Sequence, residues 1–185
     1  MRDLVLDRNL GSLVAQLEDI AEVRLCFDSL LAKRPFAMAS RFHLDLPHWS
    51  VTSVHAATIW IAVDNVDATN GCMCYLPGTH LSRRCEPVDA PQGFRDLFER
   101  YPDWVEIAPV FCPMIAGDAV IHHALTAHGS TANFQPGWRR AMSIAYVAAD
   151  ATFTGHRSPL FAVPDDAGPA DPLPDIEHPV VFRQS

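Results

Sequence analysis

The stretch VHAATIWIAVDNVDATNGCMCYLPGTH, residues 54–80, sets the reading of the fold. Residues 54–63 are β-branched and aromatic and have the length of a strand. DNVDATNG then reads as a turn, with Asn70-Gly71 its strongest hairpin signal, and CMCYLPGTH is predicted to return as the partner strand. Toward the C-terminus, VEIAPVFCPMIAGDAVIHHALTAHGS, residues 105–130, gives short strands broken at Pro113 and at a Gly117-Asp118 turn. RRAMSIAYVAA, residues 139–149, reads as a last, buried strand. Toward the N-terminus, Leu10, Leu13, Val14 and Leu17 recur at helical spacing and predict an amphipathic helix over 10–20. A second helix is predicted over 92–101, where Phe94, Leu97, Phe98 and Tyr101 share a face. The tail from 151 is rich in Pro, Asp and Gly and is predicted to carry little regular structure. Short strands without βαβ alternation predict a mainly β sandwich or barrel with a few flanking helices. It is expected as one domain over 1–185, its core at about 30–150.

The bulk composition narrows the function. With 49% apolar and 19% charged residues, the 185-residue chain is composed like a globular protein large enough for one hydrophobic core. A net charge of -8 disfavours nucleic acid and anionic membrane surfaces as partners and leaves small molecules. Apolar runs fall short of the roughly 18 residues that span a bilayer, and Asp3 and Asp7 interrupt any signal-peptide core. A cytoplasmic location is expected. Five cysteines in no regular framework fit reduced thiols. Cys72 and Cys74, too closely spaced for a zinc knuckle, read as small apolar residues.

The chemistry begins at His43-Leu-Asp45. With nine His among 185 residues, about one His-x-Asp is expected by chance, so the triplet needs company. An iron site for oxygen activation takes two imidazoles and one carboxylate on one face of an octahedron. On a strand, His43 and Asp45 would point to the same side. His128 is the best candidate for the third ligand, and spacing alone leaves His122 and His123 in competition. Ser130 and Arg139 follow His128, and a guanidinium opening the last strand can clamp a carboxylate by two charge-assisted hydrogen bonds. Arg140, its neighbour, would face the other way.

FHLDLPHW, TIWIAVDNVDATNGCMCYLPGTH, GDAVIHHALTAHGSTAN and WRRAMSIAY resemble, in that order, the conserved blocks of the phytanoyl-CoA dioxygenase family. The resemblance covers about residues 30–150, and the chain looks short against that family at its N-terminal end. It implies a double-stranded β-helix, the jelly-roll or cupin-like barrel, and an Fe(II)- and 2-oxoglutarate-dependent dioxygenase using O2. The iron ligands it implies are His43, Asp45 and His128. Arg139 would bind the distal carboxylate of 2-oxoglutarate with Ser130 as helper, and Trp60 and Thr58 would lie beside the co-substrate. His48 and Trp49 would line the substrate mouth. Related halogenases replace the carboxylate ligand by a small residue, so Asp45 favours hydroxylation of an unactivated carbon or another oxidative outcome. Two rival readings are a cupin-like metal enzyme that does not use 2-oxoglutarate and a non-catalytic, truncated jelly-roll binding domain. Arg139 weighs against the first and the complete triad against the second. His55, His80, His156 and His178 have no constellation around them and are assigned no role.

Overall fold

The computed structural model describes residues 2–85, 97–159 and 161–184. Helices α1 (Arg2–Val5) and α2 (Arg8–Glu18) come first. Asp7 caps α2 by accepting from the Asn9 N–H, which starts the helix two residues before the predicted 10–20. The buried side of α2 is Gly11, Val14 and Ala15, while Leu13 and Leu17 remain exposed. The rotation has a steric cause. At Gly11 an added Cβ would lie 2.9 Å from the Cβ of Phe182, so small residues let the helix approach the sheet beneath it.

Among the described residues nine strands form two antiparallel sheets. In chain order they are β1 (Glu22–Lys33), β2 (Ser40–His43), β3 (Ala56–Ala62), β4 (Met73–Tyr75), β5 (Val110–Cys112), β6 (Ala119–His123), β7 (His128–Ser130), β8 (Arg139–Ala148) and β9 (Val180–Arg183). One sheet has the order β6-β3-β8-β1-β9 and the other β2-β7-β4-β5. This is the predicted jelly roll. Helix α2 covers the outer face of the larger sheet over Ala57, Ile59, Ile144 and Tyr146. Between the sheets lie two further clusters, one around Trp60, Met73 and Tyr75, the other around Leu44, Leu46, Trp49 and Leu125. A short helix α3 (Leu97–Arg100) falls within the predicted 92–101; residues 92–96, Phe94 among them, lie outside the described residues. Cys26, Cys72 and Cys74 are buried, as small apolar residues would be.

The hairpin predicted around Asn70-Gly71 does not form. β3 pairs with β8 over 56–62 and with β6 over 57–61, so both its edges are taken by distant strands. β4 belongs to the other sheet, between β5 and β7. The turn itself is real: Asp67 Oδ1 accepts from Thr69, Asn70 Oδ1 accepts from Asp67 N–H, and Gly71 has φ +103°. It carries the chain from one sheet to the other. Strand β1 was not legible either, because a bulge between Leu25 and Phe27 breaks its alternation and its second half is largely exposed. β9 lies in the tail predicted to be irregular and adds to β1 at Glu22–Arg24.

The tail is held by His178, which is 2% exposed and stacked 4.4 Å from Phe161. Its Nδ1 lies 2.8 Å from the Cys26 carbonyl and its Nε2 2.7 Å from that of Ala162. Replacing it by leucine takes the ring N–H away from these carbonyls, of which that of Cys26 is buried. His178→Leu is therefore expected to lower unfolding free energy by about 2–4 kcal/mol, read by urea titration.

Glu18 ends α2 with Oε2 3.6 Å from His123 Nε2 and 3.8 Å from His55 Nδ1. Burial pushes its carboxyl up to about 7, partly offset by a hydrogen bond from Ala56 N–H. Between the ordinary 4.5 and about 7 the folded chain keeps a proton that the unfolded chain has released. Stability from this group therefore falls as pH rises through that window. Glu18→Gln is expected to gain about 1–2 kcal/mol at about pH 8 relative to its effect at about pH 5. An increment that is the same at both pH values would contradict this.

Candidate active site

His43 is the last residue of β2 and lies opposite His128, the first of β7. Asp45 is not on the strand. It has α-helical dihedrals and opens the 3-10 turn Leu46–His48. What fixes it is a pair of backbone hydrogen bonds, from Asp45 N–H at 3.0 Å and Leu46 N–H at 3.1 Å, both to the Ala124 carbonyl. His43 and Asp45 thus converge through a turn anchored on the chain after β6, not through strand alternation.

The three side chains meet at one point. Asp45 Oδ1 lies 3.6 Å from His128 Nε2 and 3.8 Å from His43 Nε2, and one ligand atom of each lies within 4.8 Å of the others. The protonation pattern is set from behind. His43 Nδ1 is 3.0 Å from the Arg41 carbonyl and His128 Nδ1 is 2.9 Å from the Thr126 carbonyl. A carbonyl only accepts, so each Nδ1 carries a proton, and each Nε2 faces Asp45 with the lone pair it has in the neutral ring. Burial pushes the His128 imidazole down to about 3, which keeps it neutral at physiological pH. Burial opposes ionisation of Asp45, but His128, His122 and His43 around it hold its carboxyl well below the usual range. Two imidazole nitrogens and a carboxylate oxygen thus converge on one space, an arrangement that suits a bound cation.

Behind Asp45 its other oxygen is occupied. Thr58 Oγ1 donates to Oδ2 at 2.7 Å and His122 Nε2 lies 3.2 Å from it. Thr58, expected at the co-substrate, is thus committed to the carboxylate. His123, the next residue on β6, faces Glu18 on the opposite side of the sheet.

A second polar cluster lies two residues further along β7. Ser130 is on the same strand face as His128, about 6.7 Å along it. Its hydroxyl accepts from Lys33 Nζ at 2.9 Å and donates to Ser40 at 3.0 Å. Lys33 also donates to the Thr131 and Met38 carbonyls. Arg139 pairs across strands with Lys33, is 5% exposed, and lays its guanidinium 5.2 Å from the centre of the Trp60 ring. Arg140 points out and pairs with Asp64 at 2.6 Å. Among the described residues Arg139 has no ion pair, and its Nε has no hydrogen-bond partner. Burial, and then Arg139 beside it, brings the Lys33 ammonium down to about 8. Gly71 makes room for this cluster: its φ is +103°, and an added Cβ would lie 2.9 Å from Lys33 Cδ and 3.2 Å from Arg139 Nε. Two adjacent cations, Arg139 buried and Lys33 half-buried, with no carboxylate ion partner among the described residues, form a site shaped for an anion. Lys33 was not legible as part of it, since only the β1–β8 register brings it there.

Of the two residues expected at the substrate mouth, His48 is half-buried in the turn after Asp45, and burial followed by His43 lowers its pKa. Trp49 is buried, edge-on to Phe27 with ring centres 5.4 Å apart.

A model of the phytanoyl-CoA dioxygenase (PhyH) family matches residues 2–141. The chain belongs to the phytanoyl-CoA dioxygenase family. One family relative, the peroxisomal phytanoyl-CoA dioxygenase of Homo sapiens, is 37% identical over 95 residues, covering 49% of this chain and 28% of that protein. The chain therefore spans under a third of the human relative's length. A probable alpha-ketoglutarate-dependent hypophosphite dioxygenase of Stutzerimonas stutzeri is 29% identical over 134 residues, 70% of this chain and 46% of that one. Among solved structures, the non-heme alpha-ketoglutarate-dependent carbocyclase SnoK from nogalamycin biosynthesis superposes with a TM-score of 0.84 at 32% identity. That match covers 97% of this chain and 70% of SnoK. The epimerase SnoN, solved with Fe3+, alpha-ketoglutarate and nogalamycin RO, gives a TM-score of 0.81 at 26% identity, over 98% of this chain and 73% of SnoN. No helix among the described residues is long and apolar enough to cross a membrane.

Proposed function

We propose that this family member is an Fe(II)- and 2-oxoglutarate-dependent dioxygenase whose iron is held by His43, Asp45 and His128. The observation that carries the reading is Asp45 Oδ1 facing the Nε2 atoms of two imidazoles at 3.6 and 3.8 Å. Two nitrogens and one carboxylate oxygen on one side suit ferrous iron and leave three octahedral positions open. Iron bound there supplies the coupling of O2 reduction to oxidative decarboxylation: a C–H bond, O2 and 2-oxoglutarate become hydroxylated product, succinate and CO2.

The protein's own groups bind and orient. Arg139 and Lys33 receive the distal carboxylate of 2-oxoglutarate, with the Ser130 hydroxyl between them and the metal ligands. Trp60 walls the same space and excludes water from the guanidinium. On the substrate side His48 stands three residues beyond Asp45, and Trp49 ties that turn to the core. The substrate is a small organic molecule reacting at an unactivated carbon. Carbocyclisation or epimerisation is the second reading, supported by the likeness to SnoK and SnoN along nearly the whole of this chain. Product mass separates the three: one oxygen gained, two hydrogens lost, or no change. The cytoplasm is the proposed compartment, supported by the reduced thiols of Cys26, Cys72, Cys74 and Cys112.

Anaerobic addition of Fe(II) and 2-oxoglutarate to the purified protein is expected to develop a weak visible charge-transfer band. Admission of O2 is then expected to give slow succinate formation without substrate. A folded protein showing neither would refute the proposal.

A further inference from the structure

The two oxygens of Asp45 live in different environments. Oδ1 faces the Nε2 atoms of His43 and His128, whereas Oδ2 is gripped by Thr58 and His122. Thr58 and His122 are direct cross-strand partners on β3 and β6, so their side chains stand together on the inner face of the larger sheet. Both are buried.

His122 differs from the other two imidazoles in where its proton sits. The ionised carboxylate of Asp45 only accepts, so the Nε2 atom 3.2 Å from Oδ2 carries the hydrogen. Its Nδ1 is then left with a lone pair, and the Tyr75 hydroxyl 3.2 Å away is placed to donate to it. His43 and His128 hold the opposite arrangement, with Nδ1 protonated against a carbonyl. Around one carboxylate, two rings therefore turn a protonated Nδ1 away from it and one turns a protonated Nε2 toward it. To ligate a metal through Nε2, His122 would give up its hydrogen bond to Asp45 and reverse the one it makes with Tyr75.

We infer that His122 is a positioning residue: with Thr58 it holds Asp45 Oδ2 and so aims Oδ1 at the metal. The inference rests on the proposed reading of His43, Asp45 and His128 as metal ligands. Its consequence for the reaction follows from counting positions. Three protein atoms and a chelating 2-oxoglutarate leave one octahedral position for O2, whereas a carboxylate binding through both oxygens would fill it. Two donors on Oδ2 oppose that rotation.

The test uses Co(II) as an inert stand-in and measures its dissociation constant anaerobically, without turnover. In His122→Gln the amide nitrogen reaches the position of Nε2 and keeps the hydrogen bond; in His122→Asn it reaches only as far as Nδ1. His122→Asn and His122→Phe are expected to bind Co(II) about 10–100-fold more weakly than wild type, with His122→Gln close to wild type. Unfolding of each metal-free variant, followed by circular dichroism, separates affinity from stability. Equal affinity in all four proteins would overturn the inference, as would a His122→Gln variant as weak as His122→Asn, since only ring volume would then matter. A wild type that binds no Co(II), or binding that survives His43→Ala, would overturn the ligand reading as well.

Discussion

Arg139→Ala is expected to raise the 2-oxoglutarate concentration needed for half-saturation by about 100- to 1,000-fold. Truncating one member of a buried, hydrogen-bonded charge pair costs about 2–5 kcal/mol, and about 1.4 kcal/mol is a tenfold change in affinity. Lys33 stays behind as a single cation, which keeps the loss short of the upper end. Arg139→Lys retains charge but not the planar fork and is expected to fall between, about tenfold weaker than wild type. The fold has little to lose at this position. The Arg139 Nε has no partner, and Lys33 opposite is pushed down to about 8 by burial and by the guanidinium itself. Anaerobic titration of the visible band with 2-oxoglutarate measures the effect. An unchanged midpoint in Arg139→Ala would place the co-substrate elsewhere.

His43→Ala is expected to abolish the stabilisation conferred by Fe(II) or Co(II) and reduce uncoupled succinate formation to background. Loss of one of three protein ligands from a site that leaves the rest of the octahedron open removes affinity and geometry together. His43 is a better test than His128, because its side chain is 39% exposed while that of His128 is 5% exposed. Truncating His43 leaves the metal-free fold nearly as stable, so the midpoint without metal serves as the internal control. A metal-dependent rise in midpoint that persists in His43→Ala would refute its role as a ligand.

Much of the site was legible because its parts are chemically distinctive. His43, Asp45 and His128 are brought together, and the register that joins them pairs His43 directly with His128. The reason given for the convergence of His43 and Asp45 was incomplete, since strand alternation ends at His43 and a turn bound to the Ala124 carbonyl does the rest. The hairpin at Asn70-Gly71 shows the other side of the matter. A turn signal is local and its dihedrals form as the residues demand, but which strand follows which is decided by the edges left free. Both edges of β3 are filled by strands some 60 to 90 residues further along the chain. No local pattern encodes that competition.

By itself, the sequence determined the kinds of residue available for the chemistry, the mainly β architecture, and Arg139 as the cation that opens the last strand. Tertiary structure alone decided which groups surround them. The β1–β8 register sets Lys33 beside Arg139, and the β3–β6 register sets His122 beside Thr58 under Asp45. It also decided where the imidazole protons lie, because each is fixed by the carbonyl, hydroxyl or carboxylate that packing places against the ring. The physical reason is that spacing along a chain controls which way neighbouring side chains point. Register between distant strands controls what they point at.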